Sequence, residues 1–343
     1  MNIRSLAEEL GLSRTTVSDA LRGKGRVRSE TAELVQAAAA RAGYRVNPLT
    51  ACLMAEIGRR SRSGSGIQGT LAAIDVKEQG HWPHGPFPAA LVEGARRRAA
   101  EMGFSVELFV VGPDAIPLRR LDKILQTRGI HGVMVLPTWF QPVLSDLDWS
   151  RYAGIYTDYV TSKPALHSVC SDHYGNMLEL LGRLSDRGYR RIGLVLEHNR
   201  DERIQHRQSA TFRAFQDTGR SKERVPMLVT PRKPARSEYL EWFESHRPDV
   251  VLSHYPELQR WTPKRQPADE VGFVLLNILD VPADTSCACL DLQPAVLGAR
   301  AAELLVGQIL RDERGIPEWP SRTTVEAKWI DGPTVRPQVV AGA

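Results

Sequence analysis

Residues 6–21 have the sequence LAEELGLSRTTVSDAL, in which two short apolar periods flank a single glycine. The apolar positions recur at helical spacing on both sides of Gly11: Leu6, Ala7 and Leu10, then Val17, Ala20 and Leu21. Glycine adopts backbone turns that are costly for other residues, so the pattern predicts two short helices joined tightly. Ser13 stands where an N-cap is preferred, which starts the second helix at Arg14. An ordinary helical hairpin and a helix-turn-helix unit both fit this spacing.

Two further helical patterns follow in the next 40 residues. Residues 29–42 carry apolar side chains at helical spacing, namely Leu34, Val35, Ala38 and Ala42, and Gly43 ends the pattern. Asn47 and Pro48 then suit the cap and the first position of a fourth helix within residues 47–58. That helix has only about two to three turns, and isolated helices of this length are marginal in water. We expect it to form only when another surface holds it.

The positive charge is concentrated at this end of the chain. Residues 1–66 contain 11 Lys and Arg against 6 Asp and Glu, and their net charge of +5 equals that of the whole chain. The rest is therefore formally neutral, which predicts one polyanion-binding end, not a generally basic surface. Residues 59–67 are rich in Gly, Ser and Arg and are predicted to be a flexible linker.

The N-terminal motifs resemble the headpiece and hinge of the lactose-repressor (LacI/GalR) family. They run in order along the chain: Gly11-Leu12-Ser13-x-x-Thr16-Val17-Ser18, Val27, Gly43-Tyr44-x-x-Asn47 and Leu53. The resemblance implies that Arg14, Thr15 and Asp19 face base edges and that Leu53 inserts into the minor groove. It further implies phosphate contacts for a set of polar residues: Ser13, Thr16, Ser18 and Asn47. Asp19 departs from the base-reading Arg or Asn of relatives; it could accept from a cytosine amino group or avoid the DNA.

The remainder alternates strand-like and helix-like patterns in two series of similar size, which predicts parallel sheets covered by helices. The predicted fold class is α + α/β, with a three-helix helix-turn-helix headpiece and hinge helix before two Rossmann-like lobes of the periplasmic-binding-protein type. The predicted domains are the headpiece (1–46), hinge (47–58), linker (59–67), core (68–336) and tail (337–343). Within the core, we expect one lobe from about 68–161 plus 294–320 and the other from about 162–293 plus 321–336.

Looser landmarks in this region are similar to the core of the same family. They include Leu91-x-x-Gly94, Tyr156-Thr157-Asp158, Gly188-Tyr189 and Pro248-Asp249-Val250-Val251. The resemblance implies two lobes joined by three crossovers, near 160–165, 290–294 and 320–324. It also implies a homodimer that reads a palindromic operator and binds a small effector between its lobes.

The resemblance also implies candidate effector contacts. Asp158 matches a position that accepts hydrogen bonds from ligand hydroxyls, and Phe87 lies near an aromatic contact position. Gln208 replaces an expected sugar-binding Arg, with Arg203 and Arg207 nearby. His254-Tyr255 and Asn277 replace residues that include carboxylates, which favours an aromatic, phosphorylated or acidic effector over a neutral sugar. Each position could equally hold a packing or surface residue.

Other classes of function find less support in the residues. The four cysteines are expected to be reduced thiols, and neither Cys287-x-Cys289 nor the His81–Pro86 loop is expected to bind metal. We expect a cytoplasmic regulator without a cofactor, a secretion signal or a membrane span. An alternative is a helix-turn-helix unit fused to a catalytic α/β domain such as a sugar kinase, but no Gly-rich phosphate loop follows any predicted strand. A periplasmic-type binding protein would lack the N-terminal unit.

Overall fold

The computed structural model describes residues 3–21, 27–41, 69–77, 85–139, 141–159, 163–219, 223–263, 271–280 and 286–337. The chain divides into two compact units, Met1–Gly66 and Ile67–Ala343. In the described residues no helix has both the length and the apolar character needed to cross a membrane.

The N-terminal unit contains α1 (Ile3–Glu9), α2 (Arg14–Leu21) and α3 (Ser29–Arg41). Gly11 has a φ of +63°, and the Ser13 hydroxyl accepts a hydrogen bond from the Thr16 amide at 3.0 Å, as the sequence predicts for the turn and the cap. The helices pack on a small apolar core: Leu6, Ala7, Val17, Ala20, Val35, Ala38 and Ala39. Leu34, predicted to share the apolar face of α3, is instead 51% exposed. Its position lies about 100° around the helix from Val35, which takes the buried place.

The first lobe of the larger unit is built on a six-stranded sheet with the order β2-β1-β3-β4-β5-β11, in which all strands are parallel. Its strands are β1 (Gly69–Val76), β2 (Phe104–Val111), β3 (Gly132–Val135), β4 (Ala153–Tyr156), β5 (His167–Ser171) and β11 (Arg322–Val325). Its helices are α4 (Pro86–Glu101), α5 (Leu118–Thr127) and α11 (Pro294–Leu310), with a short 3-10 turn at Trp149–Arg151. Apolar side chains pack on both faces of the sheet, as expected for buried parallel strands.

The second lobe contains a six-stranded sheet with the order β7-β6-β8-β9-β10-β12, parallel except for β12, which pairs with β10 in the antiparallel direction. Its strands are β6 (Ile192–Glu197), β7 (Leu228–Thr230), β8 (Val250–Ser253), β9 (Gly272–Leu275), β10 (Ala288–Asp291) and β12 (Lys328–Ile330). Its helices are α6 (His173–Asp186), α7 (His198–Arg203), α8 (Arg207–Asp217), α9 (Arg236–His246) and α10 (Glu257–Trp261), with a 3-10 turn at Ile278–Asp280.

The chain passes between the two sheets three times, and two of the passages differ from the sequence expectation. β5 belongs to the first sheet because it pairs with β4 and β11, so the first crossing follows Ser171 and does not lie near 160–165. The second crossing follows β10 and lies inside the expected range, whereas the third follows Val325 and not residues 320–324. The lobe boundaries therefore shift: 167–171 and 322–325 belong to the first lobe.

Two residues with a left-handed backbone separate α7 from α8. Gln205 and His206 have φ values of 58° and 56°, which the α-helix does not permit. α7 therefore ends at Arg203 and α8 begins at Arg207. The break makes α7, which follows β6 directly, a helix separate from α8.

A buried arginine ties the C-terminal segment to the second lobe. Arg187 follows α6, its side chain is 4% exposed, and its guanidinium donates to both carboxylate oxygens of Asp331 at 2.9 and 2.7 Å. It also donates to the Arg336 carbonyl at 2.8 Å and lies over the Trp329 ring. The guanidinium holds the pKa of the Asp331 carboxyl below its usual value.

Replacing Arg187 with methionine is expected to destabilise the larger unit by about 2 kcal/mol at neutral pH, because charge-assisted hydrogen bonds are lost. Since the pKa of Asp331 is lowered in the folded state, its contribution is present above the unfolded pKa and is lost as pH falls through the folded pKa. Thermal midpoints measured from pH 7 to pH 3 should therefore converge at the acidic end. Arg183→Met, which breaks a surface pair on α6, is the matched control and should cost under about 0.5 kcal/mol. Equal losses in the two variants would contradict the role of Arg187.

Candidate functional site

A cavity of about 230 Å³ lies where the carboxyl ends of strands from both sheets meet. Polar side chains follow or end β1, β3, β4, β8 and β9, and α7 and the first turns of α4 and α6 complete the wall. Its polar and aromatic lining consists of Asp75, Phe87, Thr138, Trp139, Thr157, Asp158, Ser171, His173, Arg200, Arg203, Gln208, His254 and Asn277. Open parallel sheets bind ligands at this edge, so the topology alone makes the cavity a candidate site.

An ion pair spans the cleft between the lobes. Asp158 follows β4 of the first lobe, and its carboxylate accepts a hydrogen bond at 2.7 Å from Arg203, which ends α7 of the second lobe. Burial raises the pKa of the Asp158 carboxyl, and the charge of Arg203 opposes that rise. Phe87 packs against the apolar cores of both lobes. These contacts place residues of the two lobes on opposite sides of one small space.

Two arginines on α7 stack on an aromatic ring that belongs to the other lobe. The guanidinium carbons of Arg200 and Arg203 lie 5.3 and 5.2 Å from the ring centroid of Trp139, which follows β3. Both arginine side chains and the tryptophan line the cavity. Farther along, Arg207 lies 4.5 Å from the ring centroid of Tyr159. The wall therefore combines cations with aromatic faces, an arrangement that favours attraction between them.

Further hydrogen-bonding side chains occupy the second-lobe wall. His254, after β8, makes a ring-nitrogen contact of 3.2 Å with the Gln208 side-chain oxygen, and both residues are buried. His173 begins α6, and burial lowers its pKa to about 3, helped by the charges of Arg203, His254 and Arg207. The Asn277 side-chain oxygen accepts from the Leu279 amide at 3.2 Å, which leaves its NH₂ group to donate elsewhere.

The structure brings together six of the seven predicted effector residues, and Tyr255 is the exception. Tyr255 does not line the cavity; it packs in the apolar core on the far side of the second sheet, and its hydroxyl donates to the Glu197 carboxylate. Burial, followed by the bond to Glu197, raises the pKa of Tyr255. His254 faces the cavity directly after β8 ends, whereas the ring of Tyr255 packs in the apolar core, 5.5 Å from the guanidinium carbon of Arg200.

Several cavity residues were not predicted from the sequence, chiefly Asp75, Trp139, His173 and Arg200. Asp75 offered a signal, because it is a carboxylate inside the apolar run of β1 and is buried. Trp139 offered a weaker signal, because it is an aromatic residue shortly after the end of β3. His173 and Arg200 gave no comparable signal, since both lie in helices whose direction the pattern does not specify.

The predicted DNA-contacting residues fall mostly on α2 and its cap. Ser13 is exposed and Thr16 is half-buried, and their hydroxyl oxygens lie 2.8 Å apart. Arg14, Thr15, Ser18 and Asp19 belong to α2. Asn47 and Leu53 lie outside the described residues.

The part of the chain that the structure describes contains no cluster of three His, Cys, Asp or Glu side chains that could hold a metal ion. Cys170, Cys287 and Cys289 are buried free thiols. Cys52 and residues 81–84 lie outside the described residues.

The fold is found in solved structures of transcriptional regulators. The cellobiose complex of the transcriptional regulator CelR is 20% identical, with a TM-score of 0.60 over 97% of this chain and 99% of that chain. The lac repressor dimer bound to operator and the anti-inducer ONPF is 15% identical, with a TM-score of 0.55 over 97% and 98%. A putative LacI-family regulator from Rhizobium etli is 18% identical, with a TM-score of 0.60 over 78% and 98%. Neither protein-family models nor curated proteins provide a match. The chain has the fold of LacI-family transcriptional regulators.

Proposed function

We propose that this protein is a transcriptional regulator that binds a palindromic DNA operator as a homodimer and responds to a sugar-like effector in the inter-lobe cleft. The observation that carries this proposal is the cavity at the carboxyl ends of two parallel sheets, lined by carboxylate, amide, guanidinium and aromatic groups. Carboxylates accept hydrogen bonds from ligand hydroxyls, and aromatic faces pack on sugar rings. Structures with this fold include a regulator in complex with cellobiose, which supports a sugar as the class of effector.

The N-terminal unit supplies the proposed DNA contacts. α2 follows a glycine turn and is capped by Ser13, so the exposed Ser13 and the neighbouring positions of the helix can approach a phosphate backbone. Hydroxyl groups and amides position a protein on phosphates, and side chains along α2 then read base edges. The excess of positive charge in residues 1–66 favours binding to a polyanion. A lac repressor dimer of the same fold is bound to its operator, which supports this arrangement.

The proposed switch couples these two sites through the segment of residues 47–58. An effector that binds across the lobes changes their closure and the geometry of the dimer, and thereby whether two hinge segments can pair over the operator. Such coupling is reciprocal, so DNA must change the affinity for the effector by the same factor. The effector shifts the equilibrium only by its differential affinity for the two states.

The alternative, a helix-turn-helix unit fused to a sugar kinase, has less support. Phosphoryl transfer needs a phosphate-binding loop, and the strand ends carry no Gly-rich or Gly-Lys-Ser/Thr pattern. The three solved structures described above are transcriptional regulators. Turnover of ATP with a sugar acceptor would reverse this ranking.

The direct test selects binding sites for the full chain from randomised duplex DNA and then compares Leu53→Ala with wild type. We expect a palindromic site whose affinity falls steeply with salt, because phosphate contacts release counterions. Leu53→Ala should weaken binding to that site roughly 10- to 100-fold and leave binding to random duplex nearly unchanged, since the wedge acts only in the bent specific complex.

Leu34→Ala is the matched control, because Leu34 is an exposed leucine on α3 of the same unit. It should change neither affinity. Failure to select any sequence would reject the proposed function, and equal losses on specific and random DNA would reject the role of Leu53.

A further inference from the structure

We infer that the effector is a uronic acid, a sugar ring whose carboxylate is bound by Arg200 and Arg203 over Trp139 and whose hydroxyls donate to Asp75 and Asp158. This inference rests on the proposed function and narrows its ligand from sugars in general to acidic sugars. A uronic acid carries both of the groups that this cavity is equipped to recognise.

The two arginines form a cationic pair on one wall. They lie three residues apart on α7, so their side chains project from the same face, and both stack on Trp139. Stacking holds the planar guanidiniums at a fixed orientation, and a guanidinium presents its N–H groups in a geometry that matches a carboxylate. The tryptophan is itself half-buried and borders the cavity.

The opposite requirement, hydroxyl recognition, is met by two buried carboxylates. Asp75 and Asp158 are 4% and 5% exposed, and both border the cavity. Each can accept hydrogen bonds from ligand hydroxyls, and Thr157 and His254 border the same space. The cavity volume of about 230 Å³ lies below the range of drug-sized ligands, which favours a single sugar ring.

The balance of charge ranks a carboxylate above a phosphate. Both arginines already face carboxylates, since Arg203 pairs with Asp158 at 2.7 Å and Arg200 lies 3.6 Å from Glu197, so a ligand monoanion adds less uncompensated charge than a phosphate dianion. Poorly solvated excess charge is costly, and of the two anions the smaller charge is favoured. The preference for an anion over a neutral sugar comes from the two guanidiniums over Trp139.

The ligand carboxylate would also exchange partners within the ion pair that spans the cleft. In the structure Arg203 donates to Asp158 across the lobes at 2.7 Å. A bound carboxylate takes the place of Asp158 on Arg203, and the released Asp158 accepts from a hydroxyl of the same ligand. The ligand then bridges Arg203 of the second lobe and Asp158 of the first, so ligand binding is linked to the relative position of the lobes.

Isothermal titration of the full chain with D-galacturonate and D-glucuronate, against D-galactose and D-glucose, tests the inference. Each pair differs only at the carboxylate, and we expect at least one uronate to bind at least 10-fold more tightly than its parent. Arg200→Gln should weaken that uronate about 10- to 100-fold and leave the parent sugar unaffected, because a charged hydrogen bond is removed. Arg213→Gln, an exposed arginine on α8, should leave both affinities unchanged.

Arg200 is the chosen position because removal of Arg203 would leave the buried Asp158 without its ionic partner. The thermal midpoint of each variant is measured alongside, so that loss of folding is recognised as such. Equal affinity for uronate and parent, tighter binding of the parent, or no binding of either uronate at about 10 mM would overturn the inference. Specific DNA binding is measured on the same samples: if it persists while the uronates fail, the inference fails and the regulator function stands.

Discussion

Gly298→Ala is expected to destabilise the larger unit by about 3 kcal/mol or more, which lowers its thermal midpoint by roughly 6–12 °C. Gly298 lies on α11, and a Cβ there would stand 1.8 Å from the Leu91 carbonyl oxygen of α4. The reciprocal position is Gly94, where a Cβ would stand 1.9 Å from the Ala295 carbonyl oxygen. Both obstacles are backbone atoms, so the two helices must separate and the first-lobe core must loosen.

Gly182→Ala on α6 is the matched control for this prediction. A Cβ at Gly182 has no heavy atom within 4 Å, and alanine is favoured over glycine in a helix by about 0.5–1 kcal/mol. The control should therefore raise the midpoint slightly. Thermal unfolding of the two variants by circular dichroism measures both effects, and an unchanged midpoint for Gly298→Ala would show that the helix contact can relax.

The long apolar strands and helices could be predicted from the sequence, whereas the short paired strands could not. Residues 71–76 are apolar except for Asp75, and the length of this apolar run indicates a parallel strand. β5, with the sequence HSVCS, and β11, with RTTV, lack such a run. Their extended form depends on pairing with each other, which brings together residues about 150 positions apart. Local propensity does not carry that information.

The residues of the candidate site also differ in how far the sequence could predict their positions. Asp158, His254 and Asn277 follow strands, so the rule that ligands lie at carboxyl ends of parallel strands places them. Arg200 and Arg203 lie on α7, and the cavity receives them because the positive φ angles at Gln205 and His206 separate that helix from α8. No periodicity predicts such a break at Gln and His. The pairing of Arg200 with the predicted Arg203 is therefore evident only in the structure.

Asp158→Asn is expected to lower the affinity for the ligand without lowering the stability of the protein. Affinity for the uronate that binds wild type should fall roughly 10- to 100-fold, because the amide replaces one acceptor oxygen with a donor and loses the charge. The thermal midpoint at neutral pH should stay equal or rise, since burial raises the pKa of the wild-type carboxyl in spite of Arg203. Titration calorimetry and thermal unfolding measure the two quantities.

The pH dependence of stability tests whether burial of the Asp158 carboxylate explains the effect of Asp158→Asn. Because the pKa of Asp158 is raised in the folded state, its stabilising contribution is fully present below the unfolded value, 3.8, and is lost as pH rises through the folded value. Any stability advantage of the asparagine variant should therefore appear at neutral pH and shrink as pH falls. Asp114→Asn, at an exposed carboxylate, should show no such trend. If Asp158→Asn instead loses several kcal/mol at neutral pH, the pairing with Arg203 outweighs the cost of burial, and the ion pair is a structural element that ligand binding must break at that cost.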